Sequence, residues 1–118
     1  KVADKDSSET DAQTVEIEID HTTDIADVIY TVSGGSRVTF VTVTVTEAFN
    51  GLNPLISVGD TDDADRLMTN NQNDLKSLGT YSTTPSYIYS GSSDVDITFT
   101  FDAANSTTGK AVIAISYT

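Results

Sequence analysis

Residues 94–102 read DVDITFTFD and alternate between polar and apolar side chains at every step. The apolar members of this stretch are Val95, Ile97, Phe99 and Phe101. Because successive side chains of a β-strand point to opposite faces of its sheet, the alternation predicts a strand with one buried and one solvated face. The same two-residue rhythm recurs along most of the chain, which favours an all-β fold of antiparallel strands.

Similar runs predict further strands, which lie at residues 14–20, 25–32, 37–47, 55–58, 85–90 and 110–118. Turn-forming residues separate these runs, and residues 59–84 fit either a strand or a short helical turn. About seven to nine short strands are typical of a sandwich or barrel, and both a jelly-roll and an immunoglobulin-like topology fit the pattern. We therefore predict a single-domain antiparallel β-sandwich over residues 14–118, preceded by an extended, polar N-terminal arm at residues 1–13.

Three local features refine this prediction. In residues 37–47 the apolar phase changes between Phe40 and Val41, which predicts a β-bulge there, or a bend that carries the strand between sheets. The Gly34-Gly35 pair between two strands predicts a tight hairpin. The last strand, residues 110–118, has apolar or small side chains on both faces, so we expect it at the centre of a sheet or at a subunit contact.

The composition argues against several classes of function. The 118 residues include 18 Asp and Glu against 6 Lys and Arg, a net charge of −12. Such a chain would repel a polyanion, so we expect no nucleic-acid partner. Cysteine is absent, which excludes disulfides and thiolate metal sites. No apolar run is long enough to cross a membrane, and we expect no membrane partner.

Four aspartates are dense enough to suggest a metal site, namely Asp60, Asp62, Asp63 and Asp65. Their oxygens could hold a hard cation such as Ca²⁺. The spacing does not match an EF-hand, because the sixth position is not glycine and the twelfth is Asn71. We favour a solvated loop whose aspartates cap turns, and a calcium site is the alternative.

No catalytic group or cofactor site can be assembled from the remaining residues. His21 is the only histidine, and nothing near it in the sequence marks a nucleophile. Most carboxylates lie on the wet faces of predicted strands, where nothing would raise their pKa values. Tyr81, Tyr87, Tyr89 and Tyr117 could form a sugar-stacking platform, although core and interface packing is the favoured interpretation. We expect a protein that is not an enzyme.

The middle of the chain carries a resemblance to a known group of proteins. Its landmarks are VTVTVTEAFNG at 41–51, PLISVGD at 54–60, DADRLM at 63–68, DL at 74–75 and GTY at 79–81. A hairpin of two strands and an Ala/Val/Ile-rich last strand follow. In this order the landmarks resemble small β-sandwich virion proteins of tailed bacteriophages, especially head decoration (cement) proteins. The resemblance spans residues 37–118 and rests on structural positions, so it transfers no binding residue.

The resemblance implies a jelly-roll-like domain that forms a homotrimer on the outer surface of the phage head. Such a protein binds the major capsid protein and stabilises the capsid. We expect the N-terminal arm, together with the turn at 21–24, to contact the shell, with Lys1, Val2, Lys5, Gln13 and His21 as candidate residues. The alternative function is a carbohydrate- or receptor-binding module of a tail fibre or secreted protein. In that case the tyrosines and the loop at 60–65 would form its site.

Overall fold

The computed structural model describes residues 12–118, which form a sandwich of two antiparallel sheets. The described residues contain eight strands: β1 (Gln13–Asp20), β2 (Ala26–Val32), β3 (Arg37–Glu47), β4 (Leu55–Asp60), β5 (Gly79–Thr83), β6 (Tyr87–Ile88), β7 (Val95–Asp102) and β8 (Lys110–Tyr117). A short 3₁₀ helix at Asn70–Gln72 lies between β4 and β5. The predicted all-β sandwich is therefore confirmed.

The larger sheet has the strand order β1-β8-β3-β5, with β6 also paired to β3, and the smaller sheet has the order β2-β7-β4. Apart from β6, which lies in the same sheet as β5, each described strand lies in the opposite sheet from the strand before it. This alternation of strands between two sheets, with the first and last strands side by side, is the topology of a jelly roll. The last strand, β8, lies centrally between β1 and β3, as its two-faced pattern predicted.

The sequence predicted two hairpins, one that joins β2 to β3 and one that joins β6 to β7. Both predictions are wrong for the same reason. The Gly34-Gly35 segment does turn the chain, with the Ser36 N–H donating to the Ser33 carbonyl oxygen over 3.1 Å. However, β2 pairs with β7 whereas β3 pairs with β8, so the turn joins the two sheets. Likewise β6 pairs with β3 and β7 pairs with β2 and β4. A turn signal reverses the chain but does not decide in which sheet the next strand finds its partner.

The irregularity predicted in β3 is present but lies slightly earlier than expected. The register of β3 against β8 shifts between Val38 and Phe40. The extra residue keeps Val38 and Val41 on the buried face and turns Phe40 outwards, where 39% of its surface is exposed. A bulge therefore reconciles the two apolar phases of this strand, and it leaves one aromatic ring on the surface.

The core lies between the sheets and extends under the irregular segment after β4. Its largest fully buried side chains come from both sheets and from the loops, and include Phe49, Phe99, Ile19, Ile56, Met68 and Leu75. Within residues 59–84, Met68 forms an isolated bridge with Val58, so this part of the chain covers the free edge of β4. Across residues 12–118, no helix is both long and apolar enough to cross a membrane.

Candidate functional site

The aspartate loop is organised around one buried carboxylate, that of Asp60 at the end of β4. Asp60 is only 4% exposed. Its Oδ2 accepts hydrogen bonds from Arg66 Nε at 2.6 Å and from the Tyr89 hydroxyl at 2.8 Å. Its Oδ1 accepts from the backbone N–H groups of Asp62 and Asp63 at 3.0 and 2.9 Å. These four bonds match the acceptor capacity of a carboxylate, so Asp60 is committed to holding the loop.

The electrostatics of this cluster favour the charged form of Asp60. Burial alone would raise its pKa, but the hydrogen bonds from Arg66, Tyr89 and the Asp63 amide outweigh burial and hold the pKa below its ordinary value. Burial and the neighbouring Asp60 carboxylate raise the pKa of Tyr89, so its hydroxyl stays protonated and continues to donate. The cluster of Asp60, Arg66 and Tyr89 therefore stabilises the conformation of residues 60–66 through an ion pair and its hydrogen bonds.

The other three aspartates of the loop, Asp62, Asp63 and Asp65, are exposed. The Asp65 backbone N–H donates to Oδ1 of Asp63 over 3.4 Å, and a side-chain hydrogen bond with Asp63 raises the pKa of Asp65. The structure does not assemble a larger ligand set around them. Within residues 12–118 no three His, Cys, Asp or Glu side chains converge as a metal site would require. Of the four aspartates named from the sequence, Asp60 is buried in an ion pair with Arg66, and the other three are exposed.

A cleft of about 360 Å³ lies beside the cluster of Asp60, Arg66 and Tyr89. Its lining includes Arg66, Tyr87 and Tyr89, and the exposed carboxylates of Asp62, Asp94 and Asp96 stand around it. Arg66 also donates from Nη1 to the Tyr87 hydroxyl over 3.1 Å, and its guanidinium lies 4.8 Å from the centre of the Tyr87 ring. The basic group of the cleft is therefore already paired with the protein's own side chains.

The four tyrosines named from the sequence do not form one platform. Tyr87 and Tyr89 pack edge to face with ring centres 4.9 Å apart. Tyr117 packs instead against Tyr30 of the other sheet at 5.4 Å. Tyr81 donates from its hydroxyl to the Ser77 carbonyl oxygen, at another part of the surface. A sugar ring needs an open aromatic face, but Arg66 occupies a face of Tyr87.

The candidate capsid-contact residues lie at opposite ends of the sandwich or outside the described part. Gln13 begins β1 and pairs with Tyr117, whereas His21 follows the other end of β1 and its backbone N–H donates to Gly109. Eight extended residues separate those ends by about 25 Å. Lys1, Val2 and Lys5 lie outside the described residues. Gln13 and His21 therefore cannot belong to one compact contact patch.

A feature that the sequence reasoning missed is a set of exposed aliphatic side chains at the His21 end. Ile25 is 76% exposed, Leu52 is 91% exposed and Leu78 is 66% exposed. Ile25 precedes β2, Leu52 lies between β3 and β4, and Leu78 precedes β5, so three separate loops bring them to the same end of the sandwich. Their signal in the sequence is an apolar residue inside a polar loop, outside any alternating run. We call this set the loop-end apolar residues.

The fold and these sites define a jelly-roll β-sandwich whose polar clusters hold its loops and whose most exposed apolar side chains lie at one end. Neither a protein-family model nor a curated protein sequence matches the chain. A chain of the cyanophage Pam1 capsid asymmetric unit shares the fold with a TM-score of 0.72 at 17% identity, over 99% of this chain and 91% of that one. A chain of the acidic stable capsid of Helicobacter pylori bacteriophage KHP30 shares it with a TM-score of 0.67 at 18% identity, over 90% and 86%.

Proposed function

We propose that this chain is a non-enzymatic structural protein of a phage virion, and specifically a capsid decoration (cement) protein. It would bind the major capsid protein on the outer surface of the head and stabilise the shell. The observation that carries the proposal is the similarity, over nearly the whole chain, to chains of two phage capsids. The aligned parts cover 91% and 86% of those chains, so both are about as long as this one.

The chemistry of the described residues supports a role in binding. The best-formed polar cluster, Asp60 with Arg66 and Tyr89, uses its groups on one another and leaves the carboxylate no free acceptor. A protein that acts only by binding needs a rigid body and exposed contacts. Many copies bound side by side, each as a homotrimer, would convert a weak single contact into a durable one.

The loop-end apolar residues are the contact to the shell that we favour. Exposed aliphatic side chains as large as Leu52 gain free energy when a partner removes them from water. The turn at 21–24 lies at the same end, which keeps His21 as a contact candidate. The N-terminal arm, with Lys1, Val2, Lys5 and Gln13, would form a second contact, because Gln13, its last residue, lies at the end of the sandwich opposite the loop end.

The experiment that tests this function is binding to heads that lack the protein. Heads would be assembled from the major capsid protein of the phage that encodes the chain, and mixed with the purified protein before sedimentation and cryo-electron microscopy. We expect saturable density on the outer surface and greater resistance of the heads to heat. Binding to isolated tails or to glycans, with none to heads, would overturn the proposal.

A variant that lacks residues 1–11 tests the arm. It should still fold, because β1 begins at Gln13 and its ladder with β8 is complete without the arm. We expect fewer copies on the heads, since one of two contacts is gone. Full occupancy by the shortened chain would show that the arm does not contribute, while leaving the loop-end contact standing.

A further inference from the structure

The outer face of the larger sheet differs from the rest of this acidic protein, because the middle parts of its central strands, residues 40–44 of β3 and 112–116 of β8, carry no charge there. The charged residues of these two strands, Arg37, Glu47 and Lys110, lie at the strand ends. The buried positions of β3 and β8 alternate with outward positions that hold threonine, serine, alanine and valine. These outward residues, with those of β5, are Thr42, Thr44, Thr80, Ser82, Val112, Ala114 and Ser116. We call them, together with Phe40, the uncharged sheet face.

Phe40 gives this face an aromatic side chain. The bulge after Val38 turns Phe40 outwards, and its register partner on β8 is Ser116, which also points outwards. Ile88 lies near the same end of the face, where it pairs with Arg37, and it is 45% exposed. Aromatic side chains that become buried in a contact supply much of the binding free energy of protein interfaces. An exposed phenylalanine beside uncharged sheet residues is therefore a candidate anchor.

Charge separates this face from the opposite side of the sandwich. On β7, at the centre of the smaller sheet, the outward positions include Asp96 and Asp102. Two copies of a chain with net charge −12 repel each other wherever carboxylates meet. The outward row of β8 holds no carboxylate, whereas the outward row of β7 has one at each end, so two copies that meet through the larger sheet bring fewer carboxylates together at the central strand.

The margins of the uncharged sheet face carry unlike charges. Glu16 and Glu18 lie outward on β1, next to Ala114 and Val112. Arg37 lies towards the other margin, where β3 pairs with β6. Contacts in a ring of three identical subunits join one surface patch to a different patch on the next subunit. The acidic margin of Glu16 and Glu18 and the single Arg37 near the other margin, whose Nη1 donates to Ser86, suit such head-to-tail packing.

We propose that the uncharged sheet face is the surface through which copies of this chain associate, with Phe40 as its anchor. The inference rests on the homotrimer proposed above and names the surface that builds it. The partner is a second copy of this chain, because what distinguishes the face is that its uncharged middle reduces the repulsion between identical acidic subunits. The capsid shell would then contact the loop end, so the uncharged sheet face and the loop end can both be occupied at the same time.

Two variants and one control test the assignment by light scattering coupled to size-exclusion chromatography. Phe40→Ser removes the anchor, and Thr42→Glu places a carboxylate at the centre of the face. We expect each to weaken self-association about tenfold or more. Thr98→Glu is the matched control, since Thr98 has the same residue type and the same outward position on β7. It should leave the oligomer intact, and urea unfolding would show that all three variants are folded.

Several outcomes would overturn the proposal. A monomeric wild-type chain, or oligomers unaffected by both face variants, would show that this face does not join copies. A folded Thr42→Glu variant that stays oligomeric but no longer binds heads would show that the face contacts the shell instead. The two proposals fail separately. A monomer that decorates heads refutes only the self-association face, and a trimer that ignores heads refutes only the decoration function.

Discussion

Arg66 donates from Nε to Oδ2 of Asp60 over 2.6 Å, which ties the start of the irregular segment after β4 to a carboxylate that is 4% exposed. Tyr89, from a distant part of the chain, donates to the same oxygen. A buried carboxylate that loses such a partner keeps its desolvation cost without compensation. The Arg66–Asp60 pair therefore acts on the stability of the whole loop region.

We predict that Arg66→Ala lowers the free energy of unfolding by about 1–3 kcal/mol, because it leaves a buried charge short of a donor. Urea unfolding followed by circular dichroism measures the change. Lys110→Ala is the control, since Lys110 is exposed and a substitution there should stay within about 0.5 kcal/mol. Equal stability of Arg66→Ala and wild type would mean that the ion pair does not support the loop.

The same cluster predicts how stability depends on pH. The folded-state pKa of Asp60 lies below its ordinary value of 3.8, so its contribution is fully present above that value. It is lost as the pH falls from about 3.8 through the lower folded-state pKa. Asp60→Asn cannot titrate, and its free energy of unfolding should fall less steeply than that of the wild type in this acidic range. Parallel pH profiles for the two proteins would contradict the prediction.

Gly109 is predicted to be intolerant of a side chain. A Cβ atom at this position would lie 2.3 Å from Cδ2 of the buried Phe49 ring, and the backbone φ is +140°. Gly109→Ala should therefore cost about 1–3 kcal/mol from overpacking, in addition to backbone strain. Gly35→Ala is the matched control, because its φ is +91° but nothing lies within 4 Å of its Cβ. Equal midpoints of urea unfolding for the two variants would argue against the clash.

The loop-end apolar residues should affect binding to heads without affecting the fold. Leu52→Ser and Leu78→Ser are each expected to weaken head binding about tenfold, since each removes an apolar anchor that the shell would bury. Sedimentation with undecorated heads measures the affinity, and the midpoint of urea unfolding should stay close to the wild-type value. Val28→Ser is the control, because Val28 is 40% exposed but lies within β2, where it pairs with Thr98, and not in a loop. Similar head binding by all three variants would show that the shell contacts another part of the surface.

Alternation of side chains was sufficient to predict seven of the eight described strands, because burial of one face is a local property of a strand. The eighth, β5, lies within residues 59–84, which fitted either a strand or a helical turn. Which sheet a strand joins is not local, and for that reason the Gly34-Gly35 turn was mistaken for a hairpin. The position of Asp60 could have been predicted if the alternation of buried and outward residues had been followed to the end of β4. Asp60 continues the buried series of Ile56 and Val58, which marks it as the inward member of the aspartate loop. Its partner Tyr89 lies 29 residues away, and only the folded chain brings them together.

The adjacency of β1 and β8 has a mechanical consequence. Eight residue pairs, from Gln13 with Tyr117 to Asp20 with Lys110, join the first strand to the last. A force that pulls on the chain before Gln13 while the loop end is held fixed acts along the axis of β1. The hydrogen bonds of the ladder then resist in shear, all at once, whereas a force across the strands would open them one after another. In the proposed decoration role, a load between the N-terminal arm and the loop-end contact would act on this joint in its stronger direction.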